Sequence, residues 1–199
     1  MSDIPYRTLL PLFDELRSER IIVRPYHQGD APALFEAVAE SREHIRPWLP
    51  WADQHQKIED TQDYVIRCMA RWLLRDDMPL SIWEKGTDRF LGGTGLHPRN
   101  QNINYFEIGY WLRVSAEGHG YMTESVRLLT DYAFTELKAN RLLIRCDERN
   151  KRSAAVPQRL GYVFEGCLRN EMLAPDGSLR NTLIFAMTPE DYQKARTGR

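Results

Sequence analysis

Between Tyr110 and Glu124 the chain reads YWLRVSAEGHGYMTE, a strand-like run that passes through a Gly-x-Gly turn straight into a helical pattern. Gly118 and Gly120 allow close approach of backbone to a ligand, and the amides that follow open a helix. The first amides of a helix have no intrahelical acceptor and lie at the positive end of its dipole. Together these features make a site for a pyrophosphate. A tight strand-to-helix turn with no ligand would use the same two glycines, so the pattern needs context. The five histidines, His27, His44, His55, His97 and His119, show neither HxH nor HExxH spacing, and no metal site is expected. Cys68, Cys146 and Cys167 form no CxxC pair and sit in apolar or alternating segments, so reduced core thiols are expected.

The elements that must position this loop follow from periodicity and punctuation. Arg20 to Arg24 (RIIVR) reads as a strand closed by Pro25, and Asp30 can cap a helix carrying Leu34, Phe35 and Val38. A Trp/Pro-rich connection, His44 to Trp51, leads to a second helix with Val65, Cys68, Met69, Trp72 and Leu73 at i, i+3, i+4 spacing. Strands are expected at Leu80 to Glu84, Phe90 to Leu96 and Tyr105 to Leu112. A helix over Met122 to Leu137 follows, then a buried strand, Arg141 to Cys146. A short helix over about Ala154 to Leu160 ends at Gly161, and Pro175-Asp176-Gly177 turns a last hairpin of Val163 to Leu173 and Thr182 to Met187. This order implies an α/β (α+β) domain with a mixed, mostly antiparallel sheet flanked by helices, too antiparallel for a doubly wound nucleotide fold. One domain is expected over 1–199, with its core at about 18–190.

In this context the loop resembles the acetyl-CoA pyrophosphate loop of the GNAT superfamily, whose pattern is Gln/Arg-x-x-Gly-x-Gly/Ala. The chain is similar to the RimJ/RimL branch of ribosomal-protein N-terminal acetyltransferases. The matching text is EIGYWL (Glu107 to Leu112), GHGYMTES (Gly118 to Ser125), Asn150-Lys151-Arg152-Ser153, Leu160-Gly161-Tyr162 and Glu165-Gly166-Cys167-Leu168-Arg169. The early segments Arg20 to Pro25 and Arg46 to Trp51 fit as well. The resemblance implies acetyl-CoA as co-substrate, with no metal, and transfer of its acetyl group to a primary amine by direct attack. It places the backbone of Gly118, His119, Gly120, Tyr121, Met122 and Thr123 on the pyrophosphate. Ile108, Tyr110, Trp111 and Leu112 would lie along the pantetheine arm, and Asn150 would contact it; as a plain turn residue Asn150 is equally well explained. Ser153 matches the serine proposed to protonate the leaving thiolate in this branch, and it also reads as a helix N-cap. Glu107 is the first candidate base, acting through a water, and a strand residue facing solvent or a structural partner is the alternative. Glu171 is the second, although its spacing is one residue off and such a shift flips a strand side chain to the other face. Trp48 and Trp51 belong either to an acceptor cleft or to the core.

Three residues depart from the family pattern. Glu117 replaces Gln or Arg at the loop mouth, where a carboxylate facing the phosphates would oppose cofactor binding. His119 replaces a lysine of the branch. Pro157 stands where many superfamily members carry a tyrosine acid. Glu117 and Pro157 leave open a non-catalytic acyl-CoA-binding or sensing module, against which the retained Glu107, Asn150 and Ser153 weigh. The acceptor also stays open between a protein N-terminus and a small amine such as a polyamine or antibiotic, on a monomer or homodimer.

Composition narrows the classes further. Lys plus Arg (27) nearly balance Asp plus Glu (28), without the basic footprint of a phosphate-reading nucleic-acid binder or a basic membrane face. No apolar run approaches the ~18–20 residues of a membrane span. Met1 to Arg20 lacks a signal-peptide pattern, so a cytoplasmic protein is expected.

Overall fold

A computed structural model describes residues 7–10, 12–174 and 176–197. Among these residues, eight strands form one sheet in the order β1-β2-β3-β4-β5-β6-β8-β7. They are β1 (Leu16–Arg17), β2 (Ile21–Pro25), β3 (Met78–Glu84), β4 (Phe90–Asn100), β5 (Tyr105–Leu112), β6 (Arg141–Asp147), β7 (Val163–Leu173) and β8 (Leu179–Met187). Helices α1 (Ala31–Ile45) and α2 (Ile58–Leu74) follow β2. The others are α3 (Tyr121–Thr135) between β5 and β6, α4 (Lys151–Leu160) between β6 and β7, and α5 (Pro189–Thr197) after β8. Every strand pair is antiparallel except β5 with β6. The mixed, mostly antiparallel sheet with flanking helices is as expected.

The parallel pair decides where a ligand can enter. β5 and β6 pair only over Tyr105–Glu107 and Arg141–Leu143, although β5 continues to Leu112 and β6 to Asp147. Beyond Glu107 the strands part, and the sheet opens into a wedge at their C-terminal ends. A parallel connection needs a crossover, which α3 supplies. Its stripe Met122, Val126, Leu129 and Ala133 is buried in the main core with Ile108 and Ile144. Each larger member of such a stripe contributes about 1.5–3 kcal/mol by burial. A second core holds Leu34, Val38, Val65, Cys68 and Phe90.

Several local expectations are corrected. The carboxylate of Asp30 does not cap α1; it accepts from Arg24 at 2.7 and 2.8 Å and from the His27 amide at 2.8 Å. An arginine fork offers a carboxylate more than one helical amide does. α4 starts at Lys151, not near Ala154, and its N-cap is Asn150, whose Oδ1 accepts from the Ser153 amide at 3.0 Å. Ser153 is therefore the third helical residue and not the cap. Cys68 and Cys146 are buried, but Cys167 is exposed, because β7 is an edge strand with little covering it. β4 runs on to Asn100 and β8 begins at Leu179, both longer than the apolar alternation indicates, since ladder pairing continues past the buried stretch. Of the turn read between the last two strands, Pro175 lies outside the described residues.

Candidate active site

A cleft of about 1720 Å³ occupies the wedge between β5 and β6. One end is the loop into α3. Gly118 and Gly120 have φ of 80° and 81°, in the left-handed region that side-chain-bearing residues avoid. The first intrahelical bond of α3 runs from the Glu124 amide to Gly120 O at 3.1 Å, so the amides of Tyr121, Met122 and Thr123 precede any helical acceptor. The approach to this loop is clamped onto α1. The Arg113 side chain, 10% exposed, donates to Glu36 at 2.7 Å and also to Glu40, while the Val114 amide donates to Ser41 Oγ at 2.9 Å and the Ser115 amide to Glu40 at 3.0 Å. This fixes the loop before any ligand arrives, and a Cβ built on Gly118 would meet nothing within 4 Å. An open, pre-set cradle of amides suits a pyrophosphate.

Of the residues read from the sequence, Glu107, Ile108, Tyr110, Trp111, Leu112, Gly118, Gly120, Met122, Thr123, Asn150 and Ser153 all line this cleft. His119, Tyr121 and Glu171 do not. The ring of His119 stacks on Tyr121, whose hydroxyl donates to Glu84 at 2.9 Å under the guanidinium of Arg20. Those two side chains turn to the β2–β3 side, and only their backbone belongs to the loop.

At the middle of the cleft α4 meets β5. Tyr110 donates to the Ser153 carbonyl at 2.9 Å, and Ser153 Oγ donates back to the Tyr110 hydroxyl at 3.3 Å. Burial pushes the Tyr110 phenol above its ordinary range against the pull of Ser153, so it stays protonated near neutrality. Burial likewise pushes the nearby Cys146 thiol up to about 11, the Ser153 hydrogen bond opposing, which keeps it from acting as a thiolate. Pro157 is buried in α4 and donates nothing.

The two glutamates read as candidate bases are brought to one cation. Glu107 accepts from Arg99 at 2.9 Å and is 3.3 Å from Arg145 Nε, while Arg145 Nη1 donates to Glu171 at 3.1 Å. Thr182 fixes the other Glu171 oxygen at 2.7 Å. The apparent one-residue misfit of Glu171 is absorbed by an irregularity in β7 between Leu168 and Met172, where Asn170 takes φ 52°. Such a bulge re-aims the side chains that follow it, and simple alternation cannot foresee it.

Glu117 does not stand unopposed among the amides. Its carboxylate is bound by His44 at 2.7 Å, from the end of α1, and by Arg152, from the first turn of α4. These partners come from distant segments, so no sequence signal marked them. Trp48 lines the cleft, whereas Trp51 packs on Trp111 with ring centroids 5.4 Å apart. Sequence reasoning also missed Arg145, Asp147, Arg149 and Arg180, which line the wall beside Trp48 and Thr182.

Fold and cleft together define an acyltransferase of the GNAT kind: a sheet splayed at one parallel pair, with a glycine-bearing helix N-terminus at its mouth. The family model for the acetyltransferase (GNAT) domain matches residues 20–163, and the chain belongs to that family. YdaF of Bacillus subtilis (strain 168) is 30% identical over 177 residues, covering 88% of this chain and 95% of its own. The ribosomal protein uS5 alanine N-acetyltransferase of Escherichia coli (strain K12) is 25% identical over 205 residues, covering 96% and 98%. The solved structure of RimL, a ribosomal-protein acetyltransferase, in complex with coenzyme A superposes with TM-score 0.82 at 21% identity, covering 87% of this chain and 97% of that one. The chain is an N-acetyltransferase, and among its described residues no helix is long and apolar enough to cross a membrane.

Proposed function

We propose that the protein transfers the acetyl group of acetyl-CoA to the α-amine of a protein N-terminus, in a ternary complex and without a metal. Bound acetyl-CoA supplies a thioester activated toward an amine. The observation that carries the reading is the pairing, within one cleft, of an open helix N-terminus with the Tyr110–Ser153 hydroxyl pair. The backbone of Gly118 to Thr123 holds the pyrophosphate, Ile108 to Leu112 lie along the pantetheine arm, and the amide group of Asn150 contacts it while its oxygen caps α4.

Ser153 Oγ gives its proton to the departing sulfur and takes one from the attacking nitrogen as that becomes the amide, while Tyr110 fixes both the carbonyl and the hydroxyl of Ser153. Glu107, ion-paired with Arg99 and Arg145, orients a water that takes the proton of the ammonium; Glu171 supports it through the shared Arg145. A carboxylate acting through a water is a weak base. That is sufficient for an α-amine, which titrates near ~7.7–8.0 and is roughly a tenth neutral at pH 7, and insufficient for lysine near ~10.4. The alliance of Glu117 with His44 and Arg152 removes the strongest argument for a non-catalytic module. Release of thiol from acetyl-CoA over N-terminal peptides and small amines, with products identified by mass spectrometry, tests the proposal. Modification of polyamines or lysine side chains in preference to α-amines would refute it.

A further inference from the structure

Arg180 is more deeply buried than Arg145, Arg149 or Arg152 in the cleft wall, yet among the described residues it lacks a hydrogen-bonded carboxylate. Its side chain is 11% exposed. Nη1 lies 3.4 Å from the Trp48 carbonyl and 3.9 Å from Asp147, and Nη2 lies 3.4 Å from the sulfur of Met172. Nε is buried and has no hydrogen-bond partner among the described residues. Two other sequestered arginines hold carboxylates, whereas Arg75, outside the cleft, gives its outer nitrogens to the Leu73 and Leu10 carbonyls and also leaves Nε without a partner among the described residues. Arg113, 10% exposed, holds Glu36 and Glu40, and Arg24, 18% exposed, grips Asp30 through both nitrogens at 2.7 and 2.8 Å. Asp147 does not serve Arg180 in that way, because Arg149 already takes both of its oxygens, at 3.0 and 2.8 Å. A desolvated guanidinium with unfilled donors is costly, and it persists where a ligand supplies the anion.

Its place in the cleft indicates which ligand. Arg180 and Thr182 are two residues apart on β8, so their side chains leave the same face, roughly 6.5–7 Å apart along the strand. Thr182 holds Glu171, which shares Arg145 with Glu107. None of the contacts of Arg180 involves the loop from Glu117 to Thr123; they are Trp48, Asp147 and Met172. We infer that Arg180 receives a carboxylate of the acceptor, so that the protein selects amines carrying an acidic group close by. This inference rests on the acetyl-transfer reading and narrows its substrate class. The carboxylate comes either from an acidic side chain just behind a peptide's amino terminus or from the α-carboxylate of a free amino acid. A planar, singly charged group suits the donors that the long contacts to Trp48 and Met172 leave over, whereas a phosphate dianion would crowd Asp147 at 3.9 Å.

The test uses the whole protein, acetyl-CoA and acceptors matched in all but charge. One series is short peptides with Asp against Asn, or Glu against Gln, at the second and third positions; the other is free amino acids against their amides. In one series the acid should be preferred by about 10–100-fold in kcat/KM, the range of hydrogen bonds to charged groups. Arg180→Gln should bring that ratio to about one, and Arg180→Lys should restore only part of it. Calorimetry of the same acid and amide pairs on wild-type protein loaded with CoA reads the discrimination without turnover and needs no folded variant. Equal treatment of acid and amide by the wild type overturns the inference and leaves acetyl transfer standing. So does a rise in the KM for acetyl-CoA in Arg180→Gln with the acid preference intact. Acid-selective binding with no acetylation of any amine would sink the acetyl-transfer reading and leave the carboxylate site.

Discussion

The ion pair at the mouth of the proposed cofactor site gives the sharpest quantitative expectation. Glu117 is 26% exposed and Arg152 77% exposed, so water screens both heavily. A unit charge at ~5 Å in a dielectric near ~80 interacts by ~0.8 kcal/mol, and a Debye length of about 10 Å at 0.1 M salt reduces that further. Glu117→Gln removes a negative charge from beside the phosphates and releases Arg152 to them. The KM for acetyl-CoA should then fall by up to about fourfold at low salt. Turnover should barely change, because pyrophosphate contacts are the same in ground and transition states. Arg152→Gln leaves the carboxylate opposed only by His44, and the KM should rise by a similar factor. The double variant should return near the wild-type value. All differences should shrink as salt increases from 20 to 500 mM, a range spanning Debye lengths from about 20 Å to about 4 Å. Initial rates at saturating acceptor measure this directly. One common KM for all four proteins at low ionic strength would show that neither side chain faces the cofactor, and the electrostatic argument would fail.

Ser153→Ala should lower kcat by about 10²–10⁴-fold if its hydroxyl is the acid, while melting temperature changes little because Asn150 is the cap. Tyr110→Phe should cost less turnover and about 1 kcal/mol of stability, since it leaves the Ser153 carbonyl without its donor. Gly120→Val puts a β-branched residue at φ 81°, and calorimetry should show loss of acetyl-CoA affinity in a protein that still folds. The carboxyl of Asp77 is pushed up by burial, but the hydrogen bond and charge of His97 and the charge of Arg71 outweigh that and hold it below its usual value. Glu40 is pushed up by burial too, and its hydrogen bonds from Arg113 and Ser115 outweigh that. For such depressed groups the unfolded chain takes up protons first on acidification. Their stabilisation is therefore complete at neutral pH and is lost from about pH 5 downward. Urea titrations across pH 3–7 should show this loss, and Asp77→Asn should flatten part of it.

What the sequence determined by itself was everything that local periodicity and punctuation can encode. The alternation of YFEIGYWL placed β5, the apolar stripe from Met122 placed α3, and the glycines between them marked the loop, because a helix N-terminus carries its anion chemistry in its own backbone. The order of strands and helices was enough for a mixed sheet. What only the tertiary structure decided was the company each polar side chain keeps. Glu117 read alone is a misplaced charge; folding brings it His44 from 73 residues away and Arg152 from 35. Ser153 reads equally as a helix cap; Asn150, three residues earlier, takes that role, and the Tyr110 hydroxyl reaches Ser153 only when α4 meets β5. Glu171 reads out of phase until the β7 irregularity turns it to Arg145 and Thr182. Arg180 has no sequence signal at all, since an unsatisfied buried cation is defined by partners that are missing in space. Backbone conformation is written in neighbouring residues, whereas charge pairing depends on contacts between distant segments that form only as the chain packs.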